Sequence, residues 1–176
     1  MNNIEIYVDG SAINNENPNV QSLGGVGVCV RLHDPTHNSV EGYSETVRKD
    51  ASIPELDLGK ITNNTTELAA IYLALEYVIV NHDTIRKLYG DDTAFKIYGD
   101  SQYAGNLVFG SWKPKQNKQL VAESRLSKKV ICTWEYVKHT MAMSTMNMQT
   151  TLPNLVHTTE PHYHSMNGKQ RNFNSY

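Results

Sequence analysis

The chain opens on an alternation. Ile4, Ile6 and Val8 interleave with Glu5, Tyr7 and Asp9 in IEIYVDG, the period-2 pattern of a strand with one face in a core. Asp9 falls near the end of that strand, opposite the apolar set. A polar stretch, INNENPNVQSLGG, follows and reads as a loop. Two more strand-like runs come next, Val26 to Leu32 (VGVCVRL) and Ser39 to Val47 (SVEGYSETV), with the turn residues HDPTHN between them. Three such runs joined by turns predict an antiparallel meander. Residues 48–61 show no clear period and read as a loop.

At Thr62 the period changes. Leu68, Ile71, Leu75 and Val78 recur at helical spacing in TNNTTELAAIYLALEYVIV, and the polar start suits an N-cap. Beyond it, Ala94 to Asp100 (AFKIYGD) reads as a strand and SQYAGNLVFG as a short helix ended by Gly110. NKQLVAESRLSKK reads as a further helix, and Val130 to Val137 as a fifth strand. Three strands, a helix, and then alternating strand and helix predict a mixed α/β sheet.

A length of 176 residues suits one domain, or one domain with a tail, and is enough for a core without covalent staples. Cys29 and Cys132 lie in apolar runs and match no zinc or redox spacing, so both read as reduced core thiols of a cytoplasmic protein. No stretch reads as a membrane span, and MNNIEIYVDG is not built like a signal peptide, so a soluble protein is expected. The net charge of −2 and pI near 6.4 supply no global basic field. A polyanionic partner would have to be held locally, by lysines or by metal ions.

Three acids stand where predicted elements end: Asp9 in YVDGS, Glu67 in TNNTTEL and Asp100 in YGDSQY. Each has a structural alternative. Asp9 before Gly10 suits a turn, Asp100 before Ser101 suits a cap, and Glu67 lies three residues after Asn64, as a capping-box glutamate would. If the two strands are neighbours and the helix crosses them, the three carboxylates meet at one sheet edge. Such a cluster repels itself when ionised and calls for divalent cations. Carboxylate-bridged Mg²⁺ pairs serve phosphodiester hydrolysis.

YVDGSA with the following GGVGV, then TNNTTEL, then YGDSQY, in this order and at these separations, resembles the type 1 ribonuclease H family over about Ile4 to Lys138. The resemblance implies a ribonuclease H-like fold: a five-stranded mixed sheet of order 3-2-1-4-5 with helices on both faces. It also implies hydrolysis of the RNA strand of RNA/DNA hybrids with Mg²⁺ or Mn²⁺, by a monomer. Asp9, Glu67 and Asp100 match three of the family's four metal-binding acids. Asn64 and Gln102 match residues that hydrogen-bond the hybrid's minor groove, with Thr62, Asn63 and Ser101 beside them. Amides suit that groove, since they can both donate to and accept from 2′-hydroxyls and base edges. The segment GSWKPKQNK offers Trp112, Lys113, Lys115 and Lys118 as a small phosphate-gripping handle, or equally a solvated loop with a packing Trp. It is shorter than the basic protrusion of some family members.

After the fifth strand the family continues Val-Lys-(Gly or Ala)-His-x-Gly and then Asn-Glu-x-Ala-Asp, whose Asp completes the cluster. Here YVK ends the match, and no aspartate follows Lys138. Instead comes MAMSTMNM, with four of the chain's six methionines. The spacing fits neither one helix face nor one strand face, so a thioether and histidine trap for Cu(I) or a methionine surface for a partner lacks a scaffold. The genetic code supplies another reading. Displaced by one base, the codons for KHTMAMSTMNMQTT allow Val-Lys-Ala-His-Asn-Gly-Asp-Val-Tyr-Asn-Glu-Tyr-Ala-Asp. Residues 1–138 are therefore expected to form the domain, and 139–176 an out-of-frame tail lacking the last helix and the fourth acid. A nucleotide sequence whose displaced frame meets a stop inside the motif rules this out.

Overall fold

The computed structural model describes residues 3–13, 23–33, 38–48, 58–128 and 132–138. In chain order the elements are β1 (Asn3–Ile13), β2 (Leu23–His33), β3 (Asn38–Arg48), α1 (Asn63–Tyr89), β4 (Ala94–Gly99), α2 (Gln102–Val108), α3 (Lys118–Ser127) and β5 (Cys132–Tyr136). The strands form one sheet of order β3-β2-β1-β4-β5. β1 to β3 are the expected antiparallel meander, whereas β4 runs parallel to β1 and β5 parallel to β4. The expected fold class and strand order hold.

The register explains the core. Ile4, Ile6 and Val8 face the same way as Val28 and Val30 of β2, which stand opposite Val8 and Ile6, and as Phe95 and Ile97 of β4, which stand opposite Ile4 and Ile6. Onto this apolar face α1 lays Leu68, Ile71, Leu75 and Val78, all essentially excluded from water. α2 and α3 pack beside α1 on that face, and Gly105 of α2 sits directly against the Trp134 ring of β5. The three described helices thus share one face. Any helix on the other face would come from residues outside the described ones, as does the tail after Lys138.

Two expectations change. β1 does not turn at Gly10. It continues to Ile13, because Ser11, Ala12 and Ile13 pair with Gly25, Gly24 and Leu23 through backbone bonds that need no side-chain alternation. The supposed loop between the first two strands therefore begins and ends inside the sheet. In addition, α1 is long and apolar enough to cross a membrane by length and composition, with 27 residues and an 18-residue window of mean hydropathy 1.2. Its apolarity has a local cause: α1 is buried by the sheet on one side and by α2 and α3 on others, so it is apolar beyond a single stripe.

Candidate active site

β1 and β4 are parallel neighbours, and Tyr7 stands opposite Tyr98. Asp9 comes two residues further along β1 and Asp100 two residues past Tyr98, just beyond the end of β4, so the register brings these acids level at the same end of the two strands. Glu67 arrives from α1, and Gly10 is what admits it. A Cβ on Gly10 would stand 2.5 Å from the Glu67 backbone nitrogen and nearer still to Thr66, so only glycine lets the helix backbone approach β1 this closely. The result is a triad whose ligand oxygens, one from each of Asp9, Glu67 and Asp100, all lie within 4.8 Å of one another, each residue partly buried.

None of the three acids serves the structural role that sequence offers it. The α1 cap is Thr62, whose Oγ1 accepts from Thr65 N at 3.2 Å, so Asn64 lies inside the helix and no capping box forms with Glu67. The α2 cap is Ser101, whose Oγ accepts from Ala104 N at 3.2 Å, which leaves Asp100 outside that role. Asp9 is mid-strand, and its Oδ1 accepts from Gly10 N at 2.9 Å.

Electrostatics mark the cluster. Burial pushes the Glu67 carboxyl up from 4.5 to about 8, and the charges of Asp100 and Asp9 push the same way, against a backbone hydrogen bond from Gly10. A divalent cation between these oxygens would turn that repulsion into attraction. The donor set, three partly buried carboxylates and no thiol or imidazole, suits a hard cation such as Mg²⁺ or Mn²⁺.

The other residues expected at the substrate divide into two groups. Thr62 and Ser101 are caps, and the Asn63 Oδ1 accepts from Ala12 N at 2.8 Å. Asn64, Gln102 and Lys113 are exposed, and Trp112 is half exposed. Arg125 anchors the segment carrying Trp112: its Nη2 donates to Trp112 O at 2.6 Å and its Nε to Leu107 O at 2.8 Å. Sequence reasoning missed Asn117 and misread Gly10. Asn117 adopts φ 52°, does not cap α3 with its side chain, and instead accepts from the Thr65 hydroxyl at 3.5 Å. This contact ties the end of the lysine segment to the first turn of α1. Gly10 was visible beside Asp9, but a glycine after an aspartate signals a turn more strongly than a close approach.

Several solved structures share this fold. They include ribonuclease H1 from the halophilic archaeon Halobacterium salinarum NRC-1, with TM-score 0.57 and 18% identity over 80% of this chain and 89% of that one. LC11-RNase H1, isolated from compost by a metagenomic approach, matches with TM-score 0.57 and 22% identity over 84% and 93%. The same LC11 protein in complex with an RNA/DNA hybrid matches with TM-score 0.52 and 20% identity over 80% and 89%. At these identities the likeness is one of fold. A search of curated proteins gives no sequence match. The RNase H family model, however, matches residues 1–150, running past Lys138. The chain belongs to the RNase H family.

Proposed function

We propose that this protein is a ribonuclease H that hydrolyses the RNA strand of RNA/DNA hybrids, leaving a 5′-phosphate and a 3′-hydroxyl. The observation that carries the reading is the triad of Asp9, Glu67 and Asp100 within 4.8 Å at the same end of β1 and β4 in an RNase H-family chain. Those three residues would hold the cations, and a two-ion site is the form we favour. The chemistry supplied by bound Mg²⁺ or Mn²⁺ is charge neutralisation at the scissile phosphate and acidification of the attacking water. The protein's own contribution is placement. Exposed Asn64 stands three residues before Glu67, and exposed Gln102 two after Asp100, so amides that can read a minor groove flank the acids on both helices. Trp112 and the exposed lysines 113, 115 and 118 offer a local grip on phosphates that the overall charge of −2 does not provide. The likeness to a hybrid-bound ribonuclease H1 supports the same substrate. Residues 1–138 form the working domain in this reading, a cytoplasmic monomer.

The decisive assay is cleavage of a labelled hybrid in Mg²⁺ or Mn²⁺ by the protein and by Asp9→Asn. Cleavage by the first and not the second is expected; equal loss of substrate in both overturns the assignment. A second reading has its own observation, the absence of any aspartate after Asp100. In that reading the chain retains hybrid through Asn64 and Gln102 and turns it over weakly or not at all. Retention of hybrid without cleavage would select it.

A further inference from the structure

Asn63 stands beside Asn64, which the proposed function places at the minor groove, yet its side-chain oxygen is engaged within the chain itself, accepting from Ala12 N at 2.8 Å at an exposed position across 51 residues of sequence. The bond joins the outer end of β1 to the first residue of α1, the two elements that deliver Asp9 and Glu67. A second attachment already exists, the close approach of Gly10 to Thr66 and Glu67. The two attachments are evenly spaced. Gly10 to Ala12 is two strand residues, about 6.6 Å, and Glu67 back to Asn63 is four helix residues, about 6 Å. Core packing through Leu68, Ile71, Leu75 and Val78 and the close approach at Gly10 already hold α1 against the sheet. The Asn63–Ala12 bond adds a direct hydrogen bond to β1 at the first residue of the helix, four residues before Glu67.

We infer that Asn63 is a positioning residue: through its bond to Ala12 it holds the first turn of α1 in register with β1, and so sets the separation of the Asp9 and Glu67 carboxylates. This rests on the reading of the triad as a divalent-cation site. The role needs an acceptor at this position and no donor, which separates it from a minor-groove contact, where the amide NH₂ would matter. Asn63→Asp keeps an acceptor at the same reach and suits the first turn of a helix that has no acidic residue there. Asn63→Ala removes it.

The test is a set of thermal melts titrated with Mn²⁺ alone, without substrate, for the unmodified protein, Asn63→Ala and Asn63→Asp. The Mn²⁺ concentration giving half the melting shift is expected to rise several-fold in Asn63→Ala and to stay at or below the unmodified value in Asn63→Asp. A merely structural bond would lower the melting temperature of Asn63→Ala equally with and without Mn²⁺, leaving the half-shift concentration unmoved, and that result overturns the inference. So does a rise of equal size in Asn63→Asp. If the unmodified protein shows no shift with Mn²⁺, the cation reading itself fails and the inference falls with it. A KM against kcat split on hybrid gives a second check. Loss of position in Asn63→Ala appears in kcat, whereas loss of a groove contact would appear in KM and would be shared by Asn63→Asp.

Discussion

Glu67 holds its proton in the folded, metal-free protein to about pH 8, whereas the unfolded chain releases it near 4.5. Between those values the native state binds more protons than the unfolded one, so this group's contribution to stability falls as pH rises through the window. Melts in chelator should therefore show the protein losing stability from about pH 4.5 to about pH 8, with the slope flattened in Glu67→Gln. Adding Mg²⁺ should reverse the loss near pH 8 in the unmodified protein and not in Glu67→Gln. A slope unchanged by the substitution would show that other groups dominate. At the same scale, Asp100→Asn keeps the shape of the side chain while removing one charge. Rates on labelled hybrid should drop roughly 100-fold or more, equivalent to about 3 kcal/mol of transition-state stabilisation. The substitution should also lower the Glu67 pKa, since Asp100 is the larger of the two charges raising it.

The elements of this chain were legible because their burial is one-sided. The alternation of Ile4, Ile6 and Val8 against polar neighbours, and the helical recurrence of Leu68, Ile71, Leu75 and Val78, each record one face turned to a core. What escaped is held by backbone. The outer half of β1 pairs with Gly24 and Gly25, where no side-chain pattern marks a strand. The site was partly legible for the same reason. Asp9 and Asp100 follow from strand register, but the closeness of α1 depends on a missing Cβ at Gly10, whose cause is a contact with a helix that begins 53 residues later. Gly10→Ala tests that dependence. The new methyl must push α1 away from β1, so a cost of about 1–3 kcal/mol is expected, together with a weaker response to Mn²⁺ because Glu67 moves with the helix. If Gly10→Ala lowers the melting temperature and leaves the Mn²⁺ response intact, the triad does not depend on this approach.

For the molecule as a whole, the two faces of the sheet differ. The face of Ile4, Ile6 and Val8 carries all three described helices. The other presents Tyr7 stacked on Tyr98 at 4.9 Å, Glu5 with Arg31 at 3.8 Å, and Lys96 paired with Glu135. β5 ends at Tyr136, and the sequence beyond Lys138 lacks both a hydrophobic period and an aspartate, where the displaced reading frame allows Asn-Glu-Tyr-Ala-Asp. A chain translated in that frame would supply a fourth acid, and an amphipathic helix there would have the second face to cover. Docking even two large apolar side chains is worth about 3–6 kcal/mol gross, much of it offset by ordering the segment. Each net 1 kcal/mol raises the melting temperature by about 2–4 °C in a domain of this size. The frame-restored protein is therefore expected to melt several degrees higher than the chain as it stands and to cleave hybrid faster at equal Mg²⁺. If the two chains match in melting temperature and rate, residues 139–176 already do whatever the displaced frame would do, and the tail has to be read in its own frame.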